Sequence, residues 1–445
     1  MTTAGPGPDE PARDEPVDSG AADVAPAGHQ PADVLARVVR EEWGRLVSLL
    51  LARFRRLDLV EDALADAVEA AARRWPRDGV PDNPAGWLHT TARRRVLDRL
   101  RGEAMAQRKV PLLVVESEGE AERGGAVRAD PGDLVEDDLL RLVLLCTHPA
   151  LDPAAASALT LRLVLGLATA DVARLFLVPE ATMAARITRA KKKIVAAGIP
   201  FTVPSAAELP QRLDVVAQTA YLAFTAGYAP GSGPDAVRTE LAGEAIRLVR
   251  VVLTLRPGEP VLVALLALML LQHSRRDARV DPAGGIVLLP DQDRTRWHRD
   301  EVDEALGLLA SPHLTGPITV QAAGYAVQAR IAAEHATAPT AGHTDWVRVV
   351  AHYDQLLELA PGPSARLARA VAVAEAHGPQ AGLAALDGLE DELAHGHRLA
   401  AVRAELLSRA GDVDAARAAY ALAIERCGND AERALLVRRR DALPT

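Results

Sequence analysis

An all-α architecture is expected on three grounds. Hydrophobic residues make up 49% of the chain but aromatics only 3%, and alanine and leucine dominate. That composition favours helices that pack closely through small side chains. Apolar pairs recur every four residues over Leu59-Val60, Ala63-Leu64, Ala67-Val68 and Ala71-Ala72 to Trp75, the period of an amphipathic helix. At 100° per residue, Met183, Ile187, Ala190 and Ile194 share one stripe while Thr182, Arg186, Arg189 and Lys193 share another about a quarter turn away.

Along the chain, residues 1–30 are rich in Pro, Gly, Ala and Asp without an apolar period, and are expected to form a disordered acidic tail. Residues 31–109 form a first helical unit. Its helix over 59–75 carries Glu61, Asp62, Asp66 and Glu69 on an expected outward face. Pro76 to Pro84 is a turn-rich break. A second helix, Trp87 to Arg101, buries Ala92, Val96, Leu97 and Leu100. It presents a basic patch of Arg93, Arg94, Arg95, Arg99 and Arg101, against which an ordinary solvated helix with packed arginine stems is the plain alternative. Residues 110–134 read as a linker, acidic, glycine-containing and aperiodic from Glu116 to Pro131.

The unit over 135–200 carries the strongest signal. Thr169 to Phe176 makes a short helix, Ala173 is small enough for a helix crossing, and Pro179 suits the start of a second helix. This spacing predicts a helix-turn-helix whose second helix can meet phosphates and base edges. Leu177 stands at the turn position where glycine is common. The second helix runs into Lys191, Lys192 and Lys193, in a chain whose one other lysine is Lys109. The net charge of −9 divides unevenly. Residues 1–30 carry −5, residues 31–200 carry +2 and residues 201–445 carry −6. Any DNA binding must therefore come from local patches.

Residues 205–335 form a further helical unit in which Val261 to Leu271 is a buried helix, too short to span a bilayer. Residues 336–445 show a weak repeat. Tyr353 and Tyr420 lie 67 residues apart, close to two periods of about 34 residues, the tetratricopeptide length. Such a solenoid usually holds a protein or peptide partner.

Two cysteines, Cys146 and Cys427, imply neither a disulfide framework nor a metal site, and the absence of signal-peptide character points to a cytoplasmic protein with no membrane association. Nucleotide, zinc-protease and serine-hydrolase motifs are missing, so no catalytic residue, cofactor or metal is expected and the chain is not read as an enzyme. Gly227 to Gly233 reads as a connecting turn, Asp291-Gln292-Asp293 as a loop and helix start, and His395-Gly396-His397 as a solvated loop.

These motifs in this order resemble the sigma-70 family, in its extracytoplasmic-function type. Leu59 to Ala67 is similar to region 2.2, which implies docking on the β′ clamp helices of core RNA polymerase through Glu61, Asp62, Asp66 and Glu69. Trp87 to Arg101 is similar to regions 2.3 and 2.4, which implies melting and reading of a minus-ten element, with Trp87 near the fork and the arginines on phosphates. Arg94 stands where many relatives have a base-capturing asparagine. Leu167 to Lys193 is similar to region 4.2, which implies reading of a minus-thirty-five element by Thr182, Arg186, Arg189 and Lys191 to Lys193, beside the β flap. Tyr221 to Tyr228 and Leu289 to Trp297 resemble the subgroup with a long C-terminal tetratricopeptide-like extension. The resemblance implies two small DNA-binding domains, region 2 and region 4, an extension that controls them, and promoter DNA and core polymerase as partners. A helix-turn-helix regulator with a peptide-sensing repeat domain is the other reading, but it leaves the acidic helix and the first basic helix without a role.

Overall fold

The computed structural model describes residues 30–107, 131–176, 178–228, 239–282, 284–393 and 396–444. Among these the secondary structure is helical, with one isolated antiparallel bridge between Val280 and Ile286. The acidic tail lies outside the described residues apart from Gln30, as do Leu177, His395 and most of the linker.

The first unit comprises α1 (Pro31–Phe54), α2 (Leu57–Asp78) and α3 (Pro84–Gln107). The inner positions of α2 are those of the apolar pairs: Leu59, Val60, Ala63, Leu64, Ala67, Ala71 and Trp75 are buried. The helix runs through Pro76 to Asp78, beyond the expected stop at Trp75, so the break shrinks to the residues before Pro84.

The second unit comprises α4 (Pro131–Cys146), α5 (Pro153–Leu163), α6 (Thr169–Leu175) and α7 (Glu180–Ala196). Since α4 starts at Pro131, the last residues of the expected linker are helical instead. The carboxylate of Asp152 caps α5 by accepting from the Ala155 amide at 3.0 Å, satisfying one of the donors that a helix start leaves open. Pro179 precedes α7 as its N-cap, and the buried residues of α7 are Met183, Ile187, Ala190 and Ile194, the stripe expected from the helical wheel.

Next come α8 (Leu209–Tyr228), α9 (Thr239–Leu255), α10 (Pro260–His273), α11 (Arg299–Leu309) and α12 (Val320–Thr337). Every residue of α10 from Val261 to Leu271 is buried. A helix apolar on all sides belongs at the centre of a layered core, and α8, α9, α11 and α12 surround it. The remaining helices are α13 (Trp346–Leu359), α14 (Pro363–His377), α15 (Pro379–Ala385), α16 (Arg398–Arg409), α17 (Val413–Arg426) and α18 (Asp430–Asp441). Each packs on the next in sequence, around three small apolar clusters rather than one.

The first three units share one continuous apolar core that runs from Leu35 to Ala336. α4 packs on α1 in the first unit and on α8 and α9 in the third, while α5 packs on α8. No helix of the described residues is long and apolar enough to cross a membrane.

Candidate nucleic-acid and polymerase interface

On α7 the face about a quarter turn from the buried stripe is basic. Thr182, Arg189, Lys192 and Lys193 are exposed and Arg186 is half-buried. Among the described residues no carboxylate lies within ion-pair distance of Arg186, Arg189, Lys192 or Lys193. Lys191 differs. Its ammonium is ion-paired with Glu61 of α2.

Glu61 is only 5% exposed, so the expectation of an outward-facing carboxylate is corrected. Its Oε1 accepts from Arg162 Nε of α5 at 2.7 Å, while Oε2 meets Lys191. Arg162 also donates to the Leu167 carbonyl at 2.9 Å and lies over the Trp43 ring of α1, 5.3 Å from its centroid. One carboxylate of the first unit is thus clamped by two cations of the second. The physical reason is that α2 buries two faces. One packs in its own three-helix unit and the other, at Glu61, meets the second unit. A carboxylate taken out of water needs charged partners of this kind. Cys146 is buried nearby, where desolvation and then the Glu61 charge push its thiol pKa up.

Two glycines make the approach of the units close. A side chain on Gly44 of α1 would strike the Val164 carbonyl at 2.4 Å. Gly166, at φ +76°, has the Trp43 side chain where its Cβ would be, at 2.7 Å. That backbone region is open to glycine at little cost.

The third unit clamps both others. Arg247 of α9 donates to the Arg40 carbonyl in α1 and to the Leu165 carbonyl after α5, each at 2.8 Å, while Glu244 holds its Nε at 2.8 Å. Arg212 of α8 donates to the Leu144 carbonyl at 2.6 Å, and Ser157 donates to the Thr219 carbonyl at 3.2 Å. Arg174 of α6 pairs with Glu240 of α9 at 3.1 Å.

The other acidic residues of α2 are shared with the basic helix α3. Asp66 accepts from Arg99 at 2.8 Å and from Arg95 at 3.2 Å, and Asp62 lies 3.8 Å from Arg99. Glu69 pairs with Arg73 one turn along at 2.5 Å. Arg95 and Arg99 are therefore half-buried and anchored, whereas Arg93, Arg94 and Arg101 are exposed. Arg101 touches Asp98 at 3.3 Å. Trp87 is half-buried and stands edge-on to Trp75, with ring centroids 5.8 Å apart. His89, one helical turn before Arg93, has its pKa lowered by burial and then by Arg93 and Arg53.

The structure thus brings the acidic helix, the first basic helix and the end of α7 into one neighbourhood. It adds residues that sequence reasoning passed over: Trp43, Gly44, Arg162, Gly166 and Arg247. A glycine beside a tryptophan inside a long helix was the available signal for Gly44. Nothing local marks Arg247.

The chain matches Sigma-70 region 2 over residues 38–105, Sigma-70 region 4 over residues 141–194 and a family of unknown function (DUF6596) over residues 212–313. An uncharacterised protein of Rhizobium meliloti (strain 1021) is 42% identical over 390 residues, which cover 87% of this chain and 90% of that protein. No solved structure matches the chain.

Proposed function

Because the chain belongs to the sigma-70 family of sigma factors, we propose that it is an alternative sigma factor of the extracytoplasmic-function type whose fused C-terminal helices hold it in a resting state. Sigma-70 region 2 and region 4 make promoter recognition the role of the chain, with core RNA polymerase and promoter DNA as its partners. The finer reading rests on one observation: Glu61 is buried between Arg162 and Lys191. A carboxylate expected to face the polymerase and a lysine expected to face DNA occupy each other. While they do, the two cationic units cannot spread over two separate promoter elements.

In this reading Asp62, Asp66 and Glu69 form the part of the polymerase-docking face already open, and Glu61 joins them when the units part. Arg93, Arg94 and Arg101, with Trp87, are assigned to the minus-ten side, and Arg95 and Arg99 reach it on leaving Asp66. Thr182, Arg186, Arg189, Lys192 and Lys193 are assigned to the minus-thirty-five side, joined by Lys191 on opening. Arg247, which holds both units at once, is the means by which the extension keeps them together. Residues 336–445, whose helices pack successively, are assigned a tetratricopeptide-like role in holding a protein or peptide. The protein works in the cytoplasm, where its polymerase is.

The test is transcription in vitro with purified full-length chain, core polymerase and genomic DNA, followed by mapping of start sites. Defined starts that require the added chain are expected, with a higher yield from Arg247→Ala. Failure to associate with core polymerase would overturn the assignment. Equal output from the wild type and Arg247→Ala would remove the resting-state part alone.

A further inference from the structure

A second feature lies outside the promoter-binding units, where α10 and α12 meet α13 and α14. A cavity of about 530 Å³ opens there, within the range that takes a small organic ligand. Its polar lining is Gln272, Arg275, Gln328, His335, Tyr353 and Ser364, and no Asp or Glu is among the described residues that line it. Ile331 and Leu356 supply apolar wall.

Behind this lining is an excess of cations. Arg275 donates to Tyr228 Oη at 2.5 Å, and its guanidinium lies 5.8 Å from the Trp297 ring centroid. Arg294 lies 4.6 Å from the same ring, and Arg279 lies 3.7 Å over the ring of Tyr228. Three guanidiniums therefore surround one tyrosine and one tryptophan. Their neutral partners are few: Arg294 Nη1 donates to the carbonyls of His335 and Ala338 at 2.5 and 2.7 Å. Arg279 Nη1 and Arg294 Nη2 are buried without a hydrogen-bond partner among the described residues. The acid whose charge reaches Arg279, Glu432, is held by His397 at 2.9 Å.

Burial, then neighbouring arginines, lowers the pKa of Arg294, and burial lowers that of Arg279. The same causes bring His335 down to about 4, with Arg275 and Arg294 adding to burial. Clustered, desolvated cations whose neighbouring carboxylate, Glu432, is already paired with His397 are costly unless an anion completes them.

We propose that this cavity binds a small organic anion, with its carboxylate or phosphate on Arg275 and His335 and its apolar part against Ile331 and Leu356. A planar guanidinium can hold either group through two parallel hydrogen bonds. Tyr353 adds a neutral hydroxyl, since burial raises its pKa. Binding here is independent of promoter recognition, so it can be read directly on the purified full-length chain.

The probes are benzoate and phenyl phosphate, with benzyl alcohol as the uncharged analogue, followed by titration calorimetry and by the His335 ring resonances. At least one anion should bind, and which one does assigns the charge class. Benzyl alcohol should bind at least about tenfold more weakly. The bound anion should also raise the His335 pKa. Arg275→Gln should weaken anion binding by about tenfold or more, and Arg275→Lys should recover part of it. If Arg275→Gln does not fold, His335→Asn supplies the second comparison, with a smaller loss expected. The proposal is overturned if neither anion binds at about 10 mM, if benzyl alcohol binds as well as they do, or if folded Arg275→Gln binds the anion normally.

Discussion

Replacing Glu61 with glutamine asks whether one buried carboxylate holds the two promoter-binding units together. Glu61 is clamped by Arg162 and Lys191, whose side chains are 15% and 21% exposed. The cluster lies largely out of water, so the small worth of surface ion pairs does not apply. Removing one member of a buried pair typically costs about 3 to 5 kcal/mol, because uncompensated charge is left behind. Arg162 keeps the Leu167 carbonyl and the face of Trp43, and Lys191 can turn towards solvent. The lower end, about 3 kcal/mol, is therefore expected. At about 1.4 kcal/mol per decade, the balance between separated and docked units shifts roughly a hundredfold. Native-state hydrogen exchange at the amides of α7 reads this opening free energy. Glu61→Gln should lower it by about 3 kcal/mol, and Lys191→Met by a comparable amount. The double variant should cost much less than the two changes added together. A coupling between these positions under about 0.5 kcal/mol would refute the reasoning, since the carboxylate and the ammonium would then not be sensing one another.

Three further outcomes are expected. Gly166→Ala forces a Cβ into the left-handed region and onto the Trp43 ring, so thermal unfolding should show a loss of about 2 to 5 kcal/mol, the sum of backbone strain and overpacking; an unchanged melting curve would contradict the contact. Replacing Arg189 and Lys193 with alanine should weaken promoter binding at all sequences and flatten its salt dependence by about one logarithmic unit per lost phosphate contact, read by fluorescence titration at several salt concentrations; an unaltered slope counts against both assignments. His335, depressed to about 4 from its ordinary value near 6.5, is neutral in the folded chain and binds a proton more readily when unfolded. Its contribution is therefore fully present above about pH 6.5 and is lost as pH falls towards about 4, amounting to about 3 kcal/mol. Urea unfolding of wild type and His335→Gln across that window should show the wild type losing more stability, and parallel curves would exclude His335.

Much of the local structure was legible because it depends on local periodicity. Met183, Ile187, Ala190 and Ile194 repeat at helical spacing and are the buried residues of α7. Val261 to Leu271 is apolar throughout and is buried throughout. Asp293 was expected at a helix start, and it accepts from the Thr295 amide at 2.9 Å at the head of a short 3-10 turn. Periodicity fails where a helix has a second partner. Glu61 falls between the apolar pairs of α2 and therefore looks solvent-facing, yet the facing cations come from residues 101 and 130 positions away. His397 sits in a stretch that looks like a solvated loop, but it meets Glu432 of α18 at 2.9 Å. The arginine cluster behind the cavity is invisible for the same reason: Tyr228 and Trp297 are distant in sequence from Arg275, which touches both.

The unbroken apolar core from Leu35 to Ala336 bears on how such a chain can be dissected. Cutting after residue 200 would strip α8 from α5 and α9 from α4, leaving a greasy scar on the promoter-binding half that invites precipitation. A truncated polypeptide would then report its own poor solubility as if it were lost regulation. The same adhesion leaves neither half with a finished outer surface when it stands alone.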